Sequence, residues 1–187
     1  MSGRTKLGVL VSGSGSNLQA LLDACARPDF PAEVAVVVSN VPTAFALERA
    51  RKAGVAAVVL EHKAFGSRAD FEKALVEKLV AAGVEWVCLA GFMRLLGVDF
   101  LGRFAGKVLN IHPSLLPAFP GLHAQRQALE RGVKLAGCTV RTIDPPTALQ
   151  VHLVHRREDL TAAAAAFVAL AKELSQDELP GDEAPNL

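Results

Sequence analysis

Leu7-Gly8-Val9-Leu10-Val11-Ser12-Gly13-Ser14-Gly15-Ser16-Asn17-Leu18 contains the first structural unit of the chain and the reason to expect its fold. Residues 7–11 form a short, almost unbroken apolar run of the kind buried on both faces of a parallel sheet. Small residues and two glycines follow, and a helix fits Leu18 to Ala26. Strand, small-residue loop and helix in that order aim backbone N–H groups and a helix dipole at an anion. The loop lacks the Gly-Lys-Ser/Thr ending of a Walker loop and the third glycine of a dinucleotide fingerprint. Taken alone, it reads equally well as a plain strand-to-helix connection.

Outward from this unit the alternation repeats. Glu33 to Val38 reads as a strand, and Thr43 is placed to cap a helix over 44–51 that Gly54 closes. A short strand fits Val55 to Leu60. A helix starting near Ser67 carries an apolar stripe of Phe71, Leu75, Val76, Leu79 and Val80, which is core. Val84 to Ala90, 107–111 and the stretch from Gly137 read as further strands. The pattern predicts an α/β fold, an open, mostly parallel twisted sheet with helices on both faces.

In such sheets ligands bind outside the carboxyl ends of the strands. Three unusual loops fall at such ends. They are Gly13 to Asn17, the run Gly91-Phe92-Met93-Arg94-Leu95-Leu96, and Asn110-Ile111-His112-Pro113-Ser114-Leu115-Leu116-Pro117. Asn110 and His112 lie two apart on a strand, so they face one spot. An amide can hold a developing oxyanion, and an imidazole can move a proton near neutral pH. Pro113 and Pro117 stiffen the turn behind them. The same pair also fits a strand end with a capping Asn and a satisfied His. The 92–96 loop mixes apolar groups with one guanidinium, and reads either as a helix start on the core or as a slot for a flat heteroaromatic.

The chain has 187 residues, half of them apolar, and a formal net charge of +1. That length suits one domain, and no apolar run is long enough for a membrane span. The near-neutral balance gives no electrostatic case for nucleic acid or a membrane surface. Met1 to Lys6 shows no signal-peptide pattern, so a cytoplasmic location is expected. Cys25, Cys88 and Cys138 are widely spaced with no metal-ligand pattern, and the five histidines form no ligand cluster. No metal is expected. His152 and His155, beside Arg156 and Arg157, read as a solvated basic patch.

Residues 110–123, Asn-Ile-His-Pro-Ser-Leu-Leu-Pro-Ala-Phe-Pro-Gly-Leu-His, resemble the signature of the formyltetrahydrofolate-dependent formyltransferases. Within that superfamily they are most similar to the glycinamide ribonucleotide formyltransferases. The resemblance runs from about Lys6 to about Val140. It implies a Rossmann-like formyltransferase domain over 1–175, divergent from about residue 141, while the acidic, Pro/Gly-containing end over 176–187 reads from its composition as a disordered tail. It implies transfer of a formyl group from the co-substrate 10-formyltetrahydrofolate to the amine of 5-phosphoribosylglycinamide, in purine biosynthesis. Gly15, Ser16 and Asn17 would hold the substrate phosphate. Arg68, Met93, Arg94, Leu95, Leu96 and Asn110 would line the folate site, and Asn110 and His112 would act on the formyl carbon. Small-molecule partners and a monomer or homodimer are expected.

The chain departs from the family after Val140. Arg141 stands where the family has His, and Gln125 where it often has a second His. The family's Asp-x-Gly-Pro is missing, and its spacing would put the aspartate at Ala148. Asp144 is the one nearby carboxylate and is the candidate substitute, although Pro145 and Pro146 restrict it. The C-terminal phosphate contacts have no clear counterpart, with Lys172 and Glu173 available in an alanine-rich helix expected after Glu158. Two alternatives follow. One is an impaired homologue that still binds folate or ribonucleotide. The other is a different formyltetrahydrofolate enzyme, and the chain shows neither the basic C-terminal domain of methionyl-tRNA formyltransferases nor the N-terminal regulatory domain of the formyltetrahydrofolate hydrolases.

Overall fold

A computed structural model describes residues 4–143 and the short strand at 150–151. Asp144, Ala148, the basic patch at 152–157, the expected alanine-rich helix and the 176–187 tail lie outside the described residues.

The chain runs β1 (Thr5–Val11), α1 (Ser16–Cys25), β2 (Ala32–Ser39), α2 (Phe45–Lys52), β3 (Ala56–Val59), a 3₁₀ turn at His62–Ala64, and α3 (Arg68–Ala81). It continues through β4 (Trp86–Leu89), α4 (Val98–Arg103), β5 (Val108–His112), α5 (Ala124–Glu130), β6 (Thr139–Thr142) and β7 (Gln150–Val151). The strands form one sheet in the order β3-β2-β1-β4-β5-β6-β7. From β3 to β5 all neighbours are parallel; β6 and β7 are antiparallel. The order reverses at β1, with β2 on one side and β4 on the other, which opens a crevice at their carboxyl ends.

Alternation along the strands divides the core into two layers. On one face Leu7, Val9, Val11, Cys88, Leu109 and Ile111 pack against Leu18, Leu21 and Leu22 of α1 and Ala46 and Ala50 of α2. On the other, Leu10, Val36, Val38, Leu89 and Val108 pack against Phe71, Leu75 and Leu79 of α3 and Phe100, Leu101 and Phe104 of α4. The expected helix-covered sheet is present.

Four local expectations are corrected. Helix α1 begins at Ser16, because Gly15 adopts a left-handed conformation (φ 73°) that turns the chain two residues early. Thr43 does not cap α2; Ala44 occupies that position with no side-chain bond. In α3 the stripe narrows, with Val80 44% exposed and Val76 only partly buried. Glu72 is instead 6% exposed, because it has found polar partners. The strand expected from Gly137 forms only at Thr139 and runs antiparallel.

Candidate functional site

Strands β1, β4 and β5 are consecutive neighbours, so the three loops singled out in the sequence meet at one sheet edge. The register sets their heights: Leu10 pairs with Leu89, and Leu89 with Asn110. His112 follows two residues on, at the last position of β5.

The glycine loop is built from main chain. Gly15 accepts the first helical bond, from Gln19 N at 2.9 Å, and no side chain caps α1. The first turn holds no acidic residue, so the positive end of the helix is uncompensated. A Cβ on Gly15 would lie 2.7 Å from the Cβ of Ala46, so both the conformation and the space require glycine. Arg49 of α2 supports the loop from below, donating from Nε to Ser14 O at 2.9 Å and from Nη1 to Gln19 Oε1 at 3.0 Å. A cleft of about 160 Å³ lies between Ser12, Ser16 and Asn17 on one side and Gly91 and Met93 on the other.

The 92–97 loop forms the facing wall. Phe92 and Leu96 pack against the layer of α3 and α4, while Met93, Arg94 and Leu95 are exposed, Leu95 by 83%. Helix α4 starts only at Val98, so residues 92–96 are not the start of a helix. Met93 N donates to Ser12 Oγ at 2.9 Å, and Ser12 Oγ donates to Asn40 Oδ1 at 2.6 Å. Ser12 thereby joins the two loops. Arg68 opens α3 with its Nε 2.9 Å from Glu72 Oε1.

Leu109 and Ile111 point into the α1 layer, so Asn110 and His112 face the layer of the 92–97 loop. Both are half-buried. His112 Nε2 lies 3.1 Å from Phe119 O. A carbonyl oxygen only accepts, so Nε2 carries the hydrogen and the ring is oriented by main chain. The loop that brings Phe119 back is closed internally. Buried Ser114 donates from Oγ to Ala118 O and Phe119 O, at 2.6 and 3.1 Å. Thr139 accepts from Leu116 N at 2.9 Å and donates to Ser114 O at 2.8 Å. The Leu116–Pro117 bond is cis, and Phe119 has φ 52°.

Across the antiparallel pair, Arg141 lies opposite Asn110 and Thr139 opposite His112. Directly opposed residues share a face, so Arg141 joins Asn110 there. Its Nε is buried with no hydrogen-bond partner among the described residues. Leaving such a donor unpaired costs about 1–3 kcal/mol. Gln125, where the resemblance raised a second His, is exposed on α5 and borders a larger cavity of about 630 Å³ behind the 113–119 loop, away from Asn110.

Sequence reading thus located Gly15, Ser16, Asn17, Met93, Arg94, Leu95, Leu96, Asn110 and His112 on one sheet edge. It missed the Ser12 link to Met93, the Arg49 support of Ser14 and the bond from Gly97 to Glu72, whose partners lie 25 to 81 residues apart. The three cysteines are all free and buried. Among the described residues no group of His, Cys, Asp or Glu could hold a metal, and no helix is long and apolar enough to cross a membrane.

Residues 5–146 match the family described as formyl transferase. Over 135 residues the chain is 48% identical to the phosphoribosylglycinamide formyltransferase of Escherichia coli K12, covering 72% of this chain and 64% of that protein. It is 44% identical over 140 residues to the human trifunctional purine biosynthetic protein adenosine-3, covering 75% of this chain but only 14% of the relative. The chain therefore spans less than two thirds of the length of either relative. Among solved structures, glycinamide ribonucleotide transformylase 1 from Symbiobacterium toebii superposes with a TM-score of 0.74 at 47% identity, covering 94% of this chain and 85% of that one. The phosphoribosylglycinamide formyltransferase of Brucella melitensis gives 0.74 at 39% identity, covering 92% of each. The sheet order, the loops on its edge and a match over most of its length all agree: this chain belongs to the formyl transferase family.

Proposed function

We propose that this chain transfers the formyl group of 10-formyltetrahydrofolate to the amine of 5-phosphoribosylglycinamide, a step of purine biosynthesis. The observation that carries the reading is the position of Asn110 and His112. They share a face at the end of β5, beside the 92–97 loop on that face and the glycine loop on the same edge. Gly15, Ser16 and Asn17 would take the phosphate at the uncompensated start of α1. Met93, Arg94, Leu95 and Leu96 would cover the pteridine, and Arg68 would meet the anionic part of the donor.

In this reading the substrate amine attacks the formyl carbon, a carbon–nitrogen bond forms, and the carbonyl pair moves onto oxygen. Asn110 and protonated His112 stabilise that oxyanion. When the tetrahedral species collapses, the bond to N10 of the folate breaks, and the proton lost by the amine is delivered to N10 with help from His112. The unpaired Nε–H of Arg141, on the same face, is a donor that a ligand oxygen would satisfy. Asp144 is proposed for the carboxylate of the missing Asp-x-Gly-Pro. No metal takes part. The substrates are soluble small molecules, which supports a cytoplasmic location, and a single domain acting as monomer or homodimer suffices.

The test is formyl transfer by the purified protein beside Asp144→Asn. Turnover that collapses in the variant supports the whole scheme. The lost Asp-x-Gly-Pro favours one second reading, an impaired homologue. Intact binding of both ligands without turnover would establish it in place of the first.

A further inference from the structure

Among the described residues Glu72 is the one charged side chain buried in the fold. It lies on α3, outside the constellation that the sequence picks out, and its carboxylate does two jobs. Oε1 accepts from Gly97 N at 2.8 Å, at the end of the 92–97 loop, and lies 2.9 Å from Arg68 Nε one helical turn earlier. Gly97 has no side chain to cap α4, so this carboxylate supplies the acceptor from another helix. A Cβ on Gly97 would fall 2.5 Å from Arg68 Nη2 and 2.8 Å from Glu72 Oε2. The guanidinium and carboxylate therefore lie across the loop's last residue, and a side chain there would displace them.

A buried carboxylate is costly unless paired and hydrogen-bonded. Here it has both kinds of partner, with its side chain 8% exposed and that of Arg68 53% exposed. An ordinary surface i,i+4 pair would do little, because both ends would be solvated. This pair is anchored at one end and open at the other.

We infer that Glu72 is a positioning residue for the formyl donor: it locks Arg68 and the 92–97 loop into one unit and sets donor affinity without touching the donor. With Nε committed to Glu72, the Arg68 guanidinium keeps its outer N–H groups for a carboxylate of the donor. The inference rests on the folate reading of the loop and adds the residue that holds it in shape.

The experiment measures calorimetric binding of tetrahydrofolate, and KM for each substrate, in Glu72→Ala, Glu72→Gln and Gly97→Ala. Glu72→Ala is expected to weaken tetrahydrofolate binding and raise the donor KM about tenfold, while the ribonucleotide KM stays within about twofold. Gly97→Ala, which displaces the guanidinium by a different route, is expected to match it. Glu72→Gln keeps an acceptor for Gly97 N and loses the charge, so it should fall between parent and Glu72→Ala. The last two variants give the same readout if Glu72→Ala does not fold. A lowered melting temperature with unchanged tetrahydrofolate affinity would overturn the inference, as would parallel weakening of both substrates. A parent that binds the ribonucleotide but not tetrahydrofolate would overturn the folate reading, and this inference with it.

Discussion

The glycine loop and the 92–97 loop face each other across one narrow cleft and are held in opposite ways. The first is shaped by its backbone: a left-handed glycine, a main-chain helix start, and an arginine that bonds a carbonyl from below. The second is shaped by side chains from elsewhere, Glu72 at its end and Ser12 at its start. A backbone-built loop tolerates side-chain truncation around it but fails when its glycine changes. A loop held by side chains should fail by degrees as its supports are removed.

His112 tests whether chemistry is separable from either loop, and the effect should be the largest. His112→Ala is expected to lower kcat about 10²–10⁴-fold, the usual worth of a proton-transferring group. Separate calorimetric titrations should leave ribonucleotide and tetrahydrofolate affinities nearly unchanged. Unaltered turnover would remove His112 from the chemistry. Gly15→Val should come next, raising the ribonucleotide KM about a hundredfold while the donor KM holds. The left-handed conformation alone costs a side chain about 1–2 kcal/mol. The crowding at Ala46 adds to that, so melting should fall by several degrees. Equal damage to both KM values would show that the two loops are one unit.

Ser12→Ala removes the link between them, a bond from Met93 N and a bond to Asn40. The two bonds are together worth about 1–3 kcal/mol, of which only part reaches the ligands, so both substrates should weaken about three- to tenfold. An effect confined to one substrate would show that Ser12 serves a single loop. The smallest effect concerns the core layer packed against α1. Burial pushes the Cys25 thiol from its ordinary 9.0 up to about 11, with Arg4 opposing, and raises Cys88 and Cys138 as well. The folded state keeps these protons after the unfolded chain has begun to lose them. The thiols' contribution to stability is thus complete below pH 9 and declines as pH rises toward 11. Alkylation by iodoacetamide at pH 8 should be slow in the native protein and fast after denaturation. Rapid native labelling would mean that this layer opens.

Much of this was legible in the chain, for physical reasons. Strand periodicity marks β1, β2 and β4, and parallel alternation alone brings the three loops to one edge. Asn110 and His112 were legible because a two-residue repeat is a property of any strand. Glu72 was not, since its partner Gly97 lies 25 residues on, and a polar residue inside a helical stripe reads as an edge of that stripe. Nor was the narrowing at Val80, because helix phase predicts which side faces the sheet but not how far the sheet extends over it. The Thr43 cap failed because capping depends on the backbone angle at which the chain enters the helix, and that angle falls at Ala44.

The bond from His112 to the carbonyl of Phe119 bears on how protons travel here. An imidazole usually works as a two-ended relay, accepting at one nitrogen and releasing at the other. In this chain one end is tied to the polypeptide itself, and turning the ring over would break that bond. In the proposed reaction, proton exchange would then fall to Nδ1, which would both receive and return the proton.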